Sequence, residues 1–298
     1  MTPGTSIIVT IFAVGGLWWL MSRLQDRPWS AWIGFGLAYS TAILFKEEAL
    51  TLPGIAVALI FLLTPGGFWE RVKRFLPVFF LLIPIAIYFY LRSKALAGDQ
   101  ATGEELQLMV QAAAIPEANT PARVLTVIGQ LLWMMVWPWP LRLYYWPLTG
   151  VAQVAAIAAQ AVLLVAAIVL YFRRRPTLAA GLSFFLLAIA PASRLVSTDG
   201  SAAHVADRYM YYPSVGIVMI VAALVYWLAR RFGSKLVLAI FLPLLLVGAA
   251  VTWERNHEWS DELTLFQTEY NLGNRHFVTL RILISKLWTE NQKVRIIE

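Results

Sequence analysis

Apolar runs of spanning or near-spanning length recur along most of the chain, at roughly 5–22, 29–45, 50–64, 75–91, 148–172, 177–192, 213–229 and 236–253. A bilayer core takes about 20 apolar residues in a helix, and inside it every backbone polar group must be satisfied within the protein. Residues are 59% hydrophobic and 14% charged, with a mean hydropathy of +0.67, which no soluble globule of this size matches. The expected fold class is all-α: a multi-pass bundle of about eight transmembrane helices, followed by a short helical-hairpin tail. Several runs hold only about 15–17 residues, the lower edge of spanning length.

The charges sort the loops. A net charge of +7 suggests nucleic acid at first, but the basic residues fall in short clusters between apolar runs. Arg23/Arg27, Arg71/Lys73/Arg74, Arg173–Arg175 and Arg230/Arg231/Lys235 are placed as cytoplasmic loops of a membrane protein are. No nucleic-acid partner is expected. Lys46–Glu48, the loops 92–122 and 193–212, and the tail 254–298 then lie on the opposite, outer side. The division is a polytopic domain over 1–253 and an outer-face tail over 254–298. Cysteine is absent, so thiol and disulfide chemistry drop out. The histidines at 204, 257 and 276 are too scattered for a metal set. Met1–Ser6 has no positive n-region, so no cleavable signal peptide is expected.

Residues 123–147 are excluded from the span count. This stretch ends in Trp137-Pro-Trp-Pro140 and Leu141-Arg-Leu-Tyr-Tyr-Trp-Pro147, rich in the aromatics that favour headgroup level. It reads as an interfacial or re-entrant hairpin, with a ninth short span as the alternative. In the tail, Ser260 reads as an N-cap, Leu263, Phe266 and Tyr270 as one apolar stripe, and Gly273 as a C-cap. A second helix is expected from about Arg275 to Thr289, the beginning of a helical-hairpin repeat array.

The polar residues worth chemistry lie at the outer ends of the spans. His204-Val-Ala-Asp-Arg-Tyr-Met-Tyr-Tyr-Pro213 places an imidazole, a carboxylate, a guanidinium and three tyrosines before a helix start, where a phosphate finds free N–H groups. Arg208 offers a planar fork to the same anion, Asp207 orients it, and Tyr209, Tyr211 and Tyr212 suit a sugar or the interface. An Asp207–Arg208 pair with belt tyrosines is the plainer alternative. Phe45-Lys-Glu-Glu-Ala-Leu-Thr-Leu-Pro-Gly54 repeats the arrangement, with Lys46 and Glu47 beside the helix start at Pro53. Here the plainer alternative is an ion pair of Lys46 with Glu47 or Glu48. Arg194 and His204 are weaker candidates. A divalent metal at an outer carboxylate stays open, although nothing has ligand spacing.

Three motifs in this order carry a resemblance: Lys46-Glu47 before Thr51-Leu-Pro53, Trp137-Pro-Trp-Pro-Leu-Arg-Leu-Tyr-Tyr-Trp146, and Ala206-Asp-Arg-Tyr-Met-Tyr-Tyr-Pro-Ser-Val-Gly216. Together they resemble the membrane part of tetratricopeptide-repeat O-mannosyltransferase-like proteins, which have the GT-C glycosyltransferase fold. Trp259-Ser-Asp261 is similar to that group's junction with its repeats. The resemblance implies transfer of a sugar from a polyprenyl-phosphate carrier to a protein or glycan hydroxyl at the outer face. It implies that Lys46 and Arg208 hold the donor phosphate, that Glu47 orients Lys46, and that Tyr209 and Tyr211 shape the pocket. The chain departs from the pattern in having no counterpart of the first outer loop with its catalytic carboxylate, nor of the His-Pro segment. Asp199 and Asp207 do not match that position, so the catalytic residue is unassigned. A non-catalytic carrier-lipid-binding or assembly protein therefore stands as the alternative, with a transporter last. The lack of cysteine and of a targeting signal points to a bacterial inner membrane with the tail in the periplasm or outside.

Overall fold

The computed structural model describes residues 4–98, 121–136, 150–191, 207–273 and 277–289. Among them all regular structure is helical and no strand occurs. In chain order the helices are α1 (Gly4–Arg23), α2 (Pro28–Phe45), α3 (Leu52–Leu63), α4 (Phe68–Phe75), α5 (Leu82–Gly98) and α6 (Pro121–Val136). They continue with α7 (Gly150–Phe172), α8 (Pro176–Ala188), α9 (Ser214–Phe232), α10 (Ser234–Glu258), α11 (Glu262–Asn271) and α12 (Phe277–Thr289). Short 3-10 turns at Glu47–Thr51, Leu76–Leu81 and Asp207–Met210 complete the described elements.

Among the described residues, five helical stretches are long and apolar enough to cross a bilayer: Thr5–Arg23, Phe68–Ala95, Gly150–Phe172, Ser214–Phe232 and Ser234–Glu258. Four of them are no more than 11% buried inside the protein. A helix that is apolar all round and uncovered by protein needs lipid around it. The chain is an integral membrane protein, an all-α bundle.

The eight expected spans all fall on helices, but not all with spanning length. α3 has 12 residues and α8 has 13, about 18–20 Å at the helical rise, against a bilayer core of about 30 Å. Both lie within the bundle. Leu52, Ile55, Ala56, Leu59 and Ile60 of α3 share one core with Ala180, Phe184 and Ala188 of α8. Apolar runs that are buried against protein read in sequence just as spans do. The expected span 75–91 belongs to a longer helical stretch, Phe68–Ala95, whose 3-10 section carries Pro77, a residue that cannot donate to the ladder.

The chain forms two compact units: Met1–Leu141 with Tyr145–Ala223, and Arg142–Tyr144 with Leu224–Glu298. In the first, α1 and α2 form a hairpin. Val9, Ala13, Leu17, Leu20 and Leu24 recur at helical spacing and are buried with Ala31, Trp32, Phe35, Tyr39, Ala42 and Ile43. The Trp19 indole closes the turn by donating to the Ser30 carbonyl at 3.0 Å. The basic clusters gather at one end of this unit. Arg71 and Arg74 donate to the Phe61 and Pro65 carbonyls at 2.7 and 2.8 Å, satisfying acceptors left open as α3 ends. Trp32, near the start of α2, donates to the Arg74 carbonyl, and Phe61 meets Tyr171, just before Arg173–Arg175. Three separate basic loops thus share one end, with Lys46–Glu48 at the opposite end of α3. Positive-inside sorting produces that pattern.

The described part of the expected 123–147 hairpin is α6, whose Val127, Leu131 and Met134 pack with Phe185 of α8 and with Ile189 just beyond it. Residues 137–149 lie outside the described residues. α6 and α7 approach closely: a Cβ on Gly129 would stand 2.1 Å from that of Ala156. Small residues at a crossing allow this contact in membranes.

The second unit ends in a helical hairpin. Leu265, Phe266 and Leu283 are buried, with Leu263, Tyr270 and Ile282 against them. Gly273 follows α11 at φ +82°, the left-handed position expected of a residue ending a helix. The N-cap differs from expectation by one residue. Asp261 accepts from the Thr264 N–H at 2.8 Å, whereas the Ser260 hydroxyl turns back to the His257 carbonyl. Both residue types cap well, and the extended backbone of Asp261 decides between them. Asp261→Ala is expected to destabilise the hairpin by about 1 kcal/mol, seen as faster amide exchange in α11 with α1–α3 unchanged. Arg255, near the end of α10, pairs with Glu258 and reaches the fully buried Glu269 of α11 at 3.4 Å, tying the hairpin to that helix.

Candidate functional site

Lys46 ends α2 in extended conformation (φ −163°, ψ 143°). That break sends the next two carboxylates in different directions. Glu48 turns inward and pairs with the Lys46 ammonium, both side chains being almost wholly buried. Glu47 stays half-exposed and faces Arg92 of α5 at 3.9 Å. The resemblance implied that Glu47 orients Lys46; in the structure the ion-pair partner is Glu48. An i, i+1 pair diverges here because a 3-10 turn begins at Glu47, and the partly exposed Arg92–Glu47 contact contributes little.

The Lys46 ammonium also donates to the Ser6 hydroxyl of α1 at 2.6 Å. Its remaining side is covered by the ring of Tyr209, with the ammonium 5.4 Å from the centroid, within cation–π range. Tyr209 belongs to the 3-10 turn Asp207–Met210. Met210 anchors that turn by packing with Val127, Leu131 and Phe185. Stretches more than 150 residues apart in sequence thus close over one cation.

Tyr212 sits beside this pair. It is fully buried in the α1–α3 core, with its ring edge-on to Phe184 at 5.5 Å. Its hydroxyl lies near Thr51, at the start of α3, but meets no partner in good hydrogen-bond geometry. Burial pushes the phenol well above its usual range, keeping it protonated. Glu48 behaves alike: burial pushes its carboxyl up, against the pull of the Lys46 ammonium and the weaker pull of Ser6. One Glu48 oxygen, Oε2, is buried without a hydrogen-bond partner among the described residues, as are the Tyr39 and Tyr212 hydroxyls. Buried polar atoms left unpaired are rare in native proteins. Here three belong to neighbouring side chains around one ion pair, a set equipped to meet a polar ligand.

The other expected residues stand as follows. Tyr211 is exposed, unlike Tyr212, which is fully buried. Of Asp207 and Arg208 the structure describes the backbone, within the same turn as Tyr209. Arg194 and His204 lie outside the described residues. No grouping of metal-ligating side chains occurs among the described residues. Sequence reasoning passed over Ser6 and the burial of Tyr212, and it left Glu47 and Glu48 open as the ion-pair partner of Lys46, which the structure gives as Glu48. Spacing carried no signal for Tyr212, which lies beyond the 3-10 turn that ends at Met210.

Next to the turn, α6, α7, α8 and α9 line a half-open groove of about 750 Å³ that is almost wholly apolar, its residues including Gly129, Trp133, Ala156, Phe185, Ile217 and Ile220. Phe185 and Ile217 also border the cluster that holds Tyr209 and Met210. A polar cage and an apolar groove are therefore adjacent within one unit.

Among known proteins, a protein O-mannosyl-transferase of Caenorhabditis elegans is similar to this chain, at 32% identity over 99 residues. The match covers 30% of this chain and 14% of that relative's length. No family model matches the chain, and no solved structure does. The likeness is distant and partial, and glycosyltransferase-like over the part it covers.

Proposed function

We propose that the chain is a membrane glycosyltransferase, or part of one, that takes a sugar from a polyprenyl-phosphate carrier. The observation carrying this reading is the cage itself: a buried cation, closed by residues from two distant motifs, beside an apolar groove. The donor has matching parts, an anionic phosphodiester and a long apolar chain. Lys46 and Arg208 hold the phosphate, Tyr209 and Tyr212 shape the cage, and the groove between α6 and α9 receives the first prenyl units. Phosphate is the leaving group, so charge grows on it as the glycosidic bond breaks, and fixed cations stabilise that growth. The acceptor is a protein or glycan hydroxyl. The shared end of the three basic loops is cytoplasmic in this reading, which sets the cage at the outer face of a bacterial inner membrane. The likeness to an O-mannosyl-transferase supports the reaction class.

The test is transfer from a polyprenyl-phosphate sugar in membranes containing the full-length protein. Arg208→Ala and Lys46→Ala are each expected to lower transfer at least tenfold, as the loss of a charge-assisted contact worth about 1.5–3 kcal/mol requires. Unchanged transfer in both variants contradicts the assignment. Retained carrier binding without any transfer favours the alternative, a carrier-lipid-binding protein.

A further inference from the structure

We infer that Glu48 is the counter-ion an incoming phosphate displaces from Lys46, and that it takes up one proton as it yields. The inference rests on the reading that Lys46 holds the donor phosphate. Its basis is the filling of the ammonium. Lys46 donates to Glu48 and to Ser6 and is covered on a third side by the Tyr209 ring. At 8% exposure it has no side left for a second anion while Glu48 stays in place. Ser6 and Tyr209 are neutral, so Glu48 is the anion to be exchanged.

The surroundings settle how it yields. Around Glu48, α1 contributes Ser6 and α2 contributes Tyr39 and Lys46. The 47–51 turn contributes Glu47 and Thr51, and the chain before α9 contributes Tyr209 and Tyr212. α8 contributes the apolar side chains Phe184 and Ala188 to the adjoining core. None of these is a second cation for the displaced carboxylate; Arg92 is engaged with Glu47 at the rim. Arg208, whose side chain lies outside the described residues, keeps its charge at any working pH and is a second phosphate ligand in the proposed reading. A carboxylate that loses its ammonium in this pocket, and gains an anion beside it, is driven towards its neutral form. Burial already holds the Glu48 carboxyl above the usual carboxylate range, which brings the uptake closer to neutral pH. The sign follows from linkage: if the complex binds one more proton than the free protein, affinity rises as pH falls. The rise spans the window between the free-protein and the higher complexed pKa of Glu48.

The probe is methyl geranylgeranyl phosphate, a phosphodiester that keeps a single charge across the range studied. Titration calorimetry of the full chain in lipid nanodiscs, in two buffers of different ionisation enthalpy, counts the protons. The wild type is expected to take up close to one proton per probe bound, and to bind up to about tenfold more tightly for each unit the pH falls. Glu48→Gln, which keeps a neutral acceptor for Lys46, is expected to bind as tightly as the wild type at low pH, with no uptake. Binding by the wild type without proton uptake overturns this inference and leaves the phosphate-site reading standing. Uptake that persists in Glu48→Gln also overturns it, assigning the proton elsewhere, with Asp207 the next carboxylate to test. No binding by either protein at any pH overturns the phosphate-site reading and this inference together.

Discussion

Lys46→Met is expected to destabilise the protein by about 3–5 kcal/mol at neutral to alkaline pH, the range typical of removing one partner of a buried ion pair. Methionine fills a similar volume and stays apolar, so the loss is electrostatic. Glu48 remains almost fully buried, now without the ammonium that offsets its desolvation. The double variant Lys46→Met/Glu48→Gln is expected to recover most of the loss, because its buried pair is uncharged. The pH dependence has a definite sign. Without Lys46, the folded-state pKa of Glu48 rises further above its unfolded value. Such a group contributes stability that is fully present below the unfolded pKa and lost as pH rises through the folded pKa. The deficit of Lys46→Met therefore shrinks towards acid pH and grows towards alkaline pH. Thermal unfolding in detergent at two pH values checks both points; a double variant no more stable than Lys46→Met would show that Glu48 is not the cause.

Gly216→Val carries the next largest effect. A Cβ at Gly216 would stand 2.4 Å from the Gly181 carbonyl oxygen and 2.6 Å from the Phe185 nitrogen. These are backbone atoms, so α9 must move away from α8. Overpacking of this kind typically costs about 1–3 kcal/mol and occasionally more. The displacement acts on the site because Tyr212 lies four residues upstream and packs on Phe184 of α8. Gly216→Val is thus expected to lose stability and carrier-phosphate binding together. Gly248→Ala is the control: nothing lies within 4 Å of its Cβ position, so replacement there is expected to be neutral or slightly stabilising. Equal effects of the two variants in a melting experiment would contradict the close α8–α9 approach.

These expectations differ in how far the sequence alone reaches them. Apolar runs located the helices, since a membrane chain has few other ways to satisfy its backbone. Their lengths were less legible at α3 and α8, where protein rather than lipid covers the apolar faces. In the tail, Gly273 announced the end of α11, because a glycine after a helix has a specific conformational use. The cap itself moved from Ser260 to Asp261, two adjacent residues with the same chemistry.

The site was legible as segments and not as contacts. Lys46 and the 206–213 stretch stand out in the sequence because charged and polar residues near lipid are costly. That Tyr209 covers Lys46 is a fact of tertiary packing, set by Met210 against α6 and α8, and no spacing encodes it. Glu47 and Glu48 are chemically equal in sequence. The extended backbone of Lys46 turns Glu48 inward and leaves Glu47 to Arg92. Tyr212 rather than Tyr211 is the buried ring for a similar reason: past the 3-10 turn its ring packs edge-on to Phe184 in the core, while Tyr211 stays exposed.

The most direct measurement is retention of a polyprenyl monophosphate against the corresponding polyprenol, by native mass spectrometry of the protein released from nanodiscs. The two lipids share the apolar chain and differ only in the charged head. The wild type is expected to retain the phosphate in clear preference to the alcohol. Lys46→Met/Glu48→Gln, folded but without the cation, is expected to lose that preference. Equal retention of both lipids by the wild type, or an undiminished preference in the double variant, would contradict the claim that this cage holds a carrier phosphate.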